Sequence, residues 1–260
     1  MTGFMTLLQK EWKEQTRNFK VLWIPLVFII LGILEPVSNY YLPEIMKSVG
    51  NMPEGAEFLW PEFTGEEIFM SLLGQYQFIG ILVIVLAFMG SISGERKTGT
   101  ATLLYVRPIS YRAYFLSKWI VLNGIVLASV WLGFLAAWYY ISILFNSVNA
   151  LEVFGFIATY SLWIMFVVTA VLAFSASFST GIAATLSLLL TIGFQIVDSL
   201  IGEYWTISPW KLPFYATSVF NGNNDAAGLW WSVCITFIAV LVSIFAGVNM
   251  SKRNAAKTTV

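Results

Sequence analysis

Apolar residues do not alternate along this chain; they come in six long runs separated by polar stretches. The runs cover about residues 21–42, 68–92, 111–141, 151–175, 181–201 and 229–249. A helix of about twenty apolar residues crosses the hydrocarbon core of a bilayer. Backbone groups in that core must be satisfied inside the protein, which selects helices for runs of this length. The pattern therefore predicts an all-α, polytopic membrane protein with six transmembrane helices, one transmembrane domain over residues 1–260.

Details within the runs refine this picture. Val21 to Leu34 is uncharged, and Glu35-Pro36 follows, where proline is expected to kink or end the first span. Thr64 and Glu67 have the spacing of a capping box for a helix starting near Gly65. Gly90 and Gly94 form a small-xxx-small pair, a spacing that permits a close helix approach. Ser110 is placed to cap the third span, and Trp119 and Trp138 stand at levels suited to the two interfaces.

The polar stretches are as informative. In residues 1–20, Phe4, Leu7, Leu8, Glu11 and Trp12 follow helical spacing, with Lys10, Lys13, Arg17 and Lys20 interleaved. Two readings fit: an interfacial helix along the membrane face, or a plain extension of the first span. Residues 43–71 are Glu-rich and broken by proline and glycine. Residues 202–228 carry Trp205, Pro209, Trp210 and Pro213, too broken to span, so they dip inward only where protein covers the backbone.

Composition agrees with the pattern. Hydrophobic residues make up 58% of the 260 and charged residues only 11%, too few to cover a soluble surface. There is no His, which removes most zinc, haem and triad chemistry, and the one cysteine, Cys234, is expected to be packed in its apolar run. No metal site and no nucleic-acid surface is expected. Twelve of the 14 basic residues fall on the N-terminal side of the six spans, leaving only Lys47 and Lys211 on the other. By the positive-inside rule both termini are cytoplasmic, as in a multi-pass protein of a bacterial cell membrane.

The stretch Gly94-Glu95-Arg96-Lys97-Thr98-Gly99-Thr100, then Leu103-Leu104, Arg107-Pro108-Ile109-Ser110 and Lys118, is basic and turn-forming. Thr98 to Val106 is expected to form a short helix held crosswise, with Thr100, Leu103 and Leu104 as its apolar stripe and Pro108 as its stop. Such an element either docks on a soluble partner or merely anchors the topology with its charge.

These residues resemble the cytoplasmic loop of the ABC-2 family, the permease subunits of ATP-binding-cassette transporters. The six-span layout, the basic start and the broken aromatic segment are similar to that family as well. The resemblance implies an elbow helix over residues 1–20 carrying Lys10, Trp12, Lys13 and Arg17, a coupling loop over 93–110, and an outer re-entrant segment over 202–228. It implies docking to a cytoplasmic ABC ATPase through Glu95, Arg96, Lys97, Thr100, Leu103, Leu104 and Arg107. It further implies a second permease chain, identical or not, among membrane lipids. The 260 residues contain no G-x-x-x-x-G-K-[ST] phosphate loop, so this subunit is expected to be non-catalytic, with ATP and Mg on the partner.

The expected function is an exporter of a hydrophobic or amphipathic substrate. The alternative is a non-transporting scaffold or regulator that holds a cytoplasmic partner. Glu35, Asp198, Trp205 and Trp210 are the candidates for a translocation path; the other reading has the carboxylates simply meeting water and the tryptophans anchoring the interface.

Overall fold

The computed structural model describes residues 2–49, 63–99, 110–220, 222 and 225–258. Among them there is helix and no strand. Six helices are long and apolar enough to cross a membrane: Lys20–Ile45, Gly65–Lys97, Tyr111–Leu144, Ala150–Ser177, Thr180–Tyr204 and Ala226–Asn254, numbered here spans 1 to 6. A separate helix, Thr2–Arg17, precedes them and is called the elbow helix. It turns into span 1 through Asn18 and Phe19, and Phe19 adopts the left-handed region at φ 56°.

Local signals place the helix starts. Thr64 Oγ accepts from Glu67 N at 3.3 Å while Thr64 N donates to the Glu67 carboxylate at 2.9 Å, so the capping box is formed in both directions. Ser110 Oγ accepts from Ala113 N at 3.1 Å and starts span 3. Asn149 caps span 4 through Leu151 N at 3.0 Å.

Proline does not end span 1. Its helix runs Lys20–Val49 with Pro25, Pro36 and Pro43 inside it. Apolar surroundings favour keeping the remaining backbone bonds, since a broken turn there would bare polar groups to lipid.

Span 4 is the most enclosed helix, packed by spans 2, 3, 5 and 6; spans 5 and 6 leave most of their surface facing outward. Aromatic rings fill the centre. Phe134 lies 4.6 Å from Tyr76, 5.0 Å from Phe156 and 5.6 Å from Tyr160, centroid to centroid. Inside a bilayer such contacts act through dispersion rather than water expulsion. Cys234 is exposed on span 6 rather than packed, because the apolar run leaves its outer face to lipid.

A tight helix approach is found between spans 1 and 3 rather than at Gly90 and Gly94. A Cβ on Gly90 would meet only Thr180 at 3.7 Å, and one on Gly94 would meet nothing. A Cβ on Gly32 would stand 2.2 Å from the Gly133 carbonyl oxygen. One on Gly133 would stand 2.1 Å from Tyr76 Oη and 2.7 Å from the Phe28 carbonyl oxygen. Tyr76 Oη donates to that same carbonyl at 2.7 Å, so spans 1, 2 and 3 meet at one point. Tyr76 opens a π-turn, Tyr76–Gly80, whose last glycine leaves room for the Phe28 ring.

This crossing has a direct test. Gly133→Val is expected to lower stability by about 1–3 kcal/mol or more, seen as a lower thermal midpoint in detergent. Gly94→Ala, in open space, is expected to leave the midpoint unchanged or slightly raised. Equal responses would mean that the glycine contact is not what sets the crossing.

Candidate functional site

The elbow helix presents one face to span 3. Leu7, Glu11 and Gln15 recur every four residues and all are buried. The carboxylate in the middle of that stripe is 1% exposed. Burial at that depth requires a cation. Span 3 supplies it two turns in: Lys118, also 1% exposed, stands one helical turn after Tyr114 on the same face.

Lys118 Nζ lies 2.9 Å from a Glu11 carboxylate oxygen and 2.9 Å from one of Glu95. Glu95 comes from the last turn of span 2 and also accepts from Tyr114 Oη. Lys10 closes the group, 2.9 Å from Glu11, 3.0 Å from Glu14 and hydrogen-bonded to Glu95. Burial alone would lower the Lys10 pKa, but the Glu11 and Glu95 carboxylates outweigh it and hold the ammonium above the ordinary lysine value. A raised value keeps its contribution fully present below the unfolded pKa, so the pairing does not fade anywhere in the neutral range. Carboxylate oxygens of Glu11, Glu14 and Glu95 lie within 4.8 Å of one another, as ligands to a metal would. Here the Lys10 ammonium already occupies that role, hydrogen-bonded or ion-paired to all three.

The next residue turns the opposite way. Arg96 donates to the Ala176 carbonyl at 2.9 Å, to the Ser175 carbonyl at 3.1 Å and to the Phe178 carbonyl. These belong to the C-terminal end of span 4, whose orphan carbonyls and negative dipole end suit a guanidinium. Asn254, at the end of span 6, donates to the same Ala176 carbonyl at 2.9 Å. Ser175 Oγ accepts from Ile92 N at 3.0 Å and Ser93 N at 3.1 Å, and Ser93 Oγ meets Thr180 Oγ1 of span 5 at 2.9 Å. Two consecutive residues, Glu95 and Arg96, therefore tie the base of span 2 to the elbow helix and span 3 on one side and to span 4 on the other.

Of the predicted docking residues, Glu95 and Arg96 point into the protein and Lys97 is exposed. Thr100, Leu103, Leu104 and Arg107 lie outside the described residues, as does most of the expected Thr98–Val106 helix. Of the elbow residues, Lys10 turns inward to the cluster, while Trp12, Lys13 and Arg17 are exposed. Sequence reasoning did not join Glu11, Tyr114 and Lys118 into a site. The available signal was a charge on the apolar stripe of each helix.

A family model described as ABC-2 family transporter protein matches residues 5–208. The chain belongs to the ABC-2 family of transporter proteins. It is 31% identical to the uncharacterized transmembrane protein YxlG of Bacillus subtilis (strain 168), over 93% of this chain and 94% of that one. In this ABC-2 protein the match takes in the elbow helix, the charge cluster and the first five spans.

At the far end the four path candidates fall into three settings. Glu35 is buried and accepts from Ser71, Gln75 and, at 3.2 Å, Asn39. Asp198 accepts from Trp205 Nε1 at 2.6 Å and faces Lys211 at 3.5 Å. Asp198 and Lys211 help to line a cavity of about 380 Å³ together with Gln77, Gln195 and Phe214. Trp210 packs on Trp163, Phe166 and Phe194 and donates to the Leu190 carbonyl at 3.0 Å. Leu190 lies in a π-turn, Leu189–Gly193, in which Phe194 N reaches back to Leu189, leaving that carbonyl for the indole. Among the described residues Glu35 and Asp198 share no hydrogen-bond or ion-pair partner, and Trp210 is half-buried among its ring neighbours.

The cluster predicts an unequal response to neutral substitutions. Lys118→Met leaves Glu11 and Glu95 with one ammonium between them and is expected to cost about 3–5 kcal/mol. Tyr114→Phe removes one hydrogen bond to a charge and is expected to cost about 1.5–3 kcal/mol. Lys13→Met, on the exposed face, is expected to change nothing measurable in the same detergent melt. A Lys118→Met protein as stable as the parent would remove the cluster from the account.

Proposed function

We propose that this chain is the membrane-spanning subunit of an ABC exporter for a hydrophobic or amphipathic substrate, powered by a separate cytoplasmic ATPase. The single observation that carries this reading is the adjacency of Glu95 and Arg96 at the mouth of the 98–109 segment, each gripping a different part of the bundle. A push on that segment reaches the elbow helix and span 3 through Glu95 and spans 4 and 6 through Arg96. ATP and Mg belong to the partner, whose closure supplies the push. Thr100, Leu103 and Leu104 insert into its groove, with Lys97 and Arg107 as charged contacts at the rim. The bundle then switches between two packings as rigid bodies, which ligand-driven population shifts permit.

Both termini lie in the cytoplasm in this reading, and the far end, with Glu35, Asp198 and Trp205, opens outward. A second permease chain completes the unit. Wide apolar faces support that reading: Leu26 and Ile30 on span 1 and Leu189 and Ile196 on span 5 are all exposed.

Co-expression with the cassette ATPase of a neighbouring gene tests the proposal. The two are expected to co-purify, and reconstitution in vesicles is expected to alter ATP hydrolysis. Leu103→Asp combined with Leu104→Asp is expected to abolish the alteration while the protein still inserts. Co-purification with hydrolysis unchanged by the permease would instead favour the scaffold reading.

A further inference from the structure

Beside the charge cluster, a second cavity of about 490 Å³ lies between the elbow helix and the base of span 2. Its walls include Lys10, Gln15, Lys20, Leu86 and Ser91. Two carboxylates, Glu14 and Glu95, also line it, and Lys10 holds both. That leaves Lys20. Its ammonium donates to the Ala87 carbonyl at 2.6 Å and stands 5.1 Å from the Phe88 ring centre. Among the described residues no carboxylate lies within 4 Å of it. An ammonium has three hydrogens, and only one is used.

Two further groups that line the cavity have side-chain atoms without a partner among the described residues. Gln15 is 3% exposed, and its Oε1 is buried without a hydrogen bond. Ser91 Oγ is also buried and unbonded. Buried polar atoms without partners are rare and costly, so a ligand that supplies them is favoured. The set asks for an anion at Lys20 and for hydroxyl donors at Gln15 Oε1.

The surroundings say what carries the anion. Leu86 lines the cavity and is 51% exposed; one turn deeper Leu82 is 44% exposed, followed by Ile79 and Phe78. Across the elbow, Leu22 and Leu26 of span 1 are exposed as well. An apolar track therefore leads from the cavity into the bilayer. We infer that this cavity binds one glycerophospholipid of the adjacent leaflet, its phosphodiester on Lys20, its headgroup hydroxyls at Gln15 and Ser91, and an acyl chain along Leu86 and Leu82. The inference rests on the elbow end lying at a membrane face, not on the ATPase partnership, and it stands or falls separately. A lipid seated there wedges between the elbow helix and span 2.

Native mass spectrometry of the full chain, released from detergent micelles, tests it. The probes are dioleoyl phosphatidylglycerol and dioleoylglycerol, which has the same tails and no phosphate. Phosphatidylglycerol is expected to be retained one per chain and dioleoylglycerol lost. Lys20→Gln is expected to reduce the retained fraction about fivefold, the worth of one lysine near a lipid phosphate. Ser91→Leu, which fills the cavity from the base of span 2 and leaves Lys20 intact, is expected to do the same. Lys13→Gln, an equal charge loss on the exposed face, is expected to have no effect. Equal retention of the two probes, or of the parent and both cavity variants, would overturn the site. Displacement of the lipid by millimolar inorganic phosphate would overturn it in favour of a free-anion site.

Discussion

Glu11 and Lys118 are the constraint on which the elbow end depends. Each is almost wholly enclosed, and removing either leaves the other short of counter-charge, with only Lys10 left for Glu11 or only Glu95 for Lys118. Their pairing fixes the elbow helix against span 3, and Glu95 joins both to span 2. Such a group stabilises less than its short distances suggest, because desolvation offsets most of the attraction. Its larger consequence is specificity. With Lys10 and Tyr114 also engaged, few other arrangements of these three helices satisfy every charge.

Arg96 extends that constraint. It completes the end of span 4, the most enclosed helix, and Asn254 brings span 6 to the same carbonyl. The base of the bundle is thus a network of charge-assisted and backbone bonds, whereas its middle is held by ring packing and one glycine crossing. These differ mechanically. Directional bonds at the base have discrete alternatives and transmit a displacement, while the close-packed middle resists deformation.

Much of the fold was legible. Thr64 with Glu67 and Ser110 started their helices where spacing placed them, because a cap is decided by residues within one turn. The glycines were less legible. Gly90 and Gly94 have the spacing of a packing motif yet make no tight helix contact, while Gly32 and Gly133, on different helices, make one. Spacing within one helix does not say which face meets another. Pro36 likewise failed to stop its helix, since lipid surroundings outweigh a single lost bond. Glu95 and Arg96 were read as outward charges on a polar loop; they instead close the last turn of span 2 and face inward.

Six spans follow from hydropathy, because the bilayer imposes the same length and hydrogen-bonding demand on every segment, whereas the separation of the elbow helix from span 1 at Asn18 and Phe19 was decided by the structure. The sequence by itself also determined that charges on apolar stripes, at Glu11 and Lys118, had to be answered. Which charges answer them was decided by tertiary structure alone. Glu11, Glu95 and Lys118 are far apart in the chain, and only the docking of the elbow helix on span 3 beside the end of span 2 brings them within a hydrogen bond.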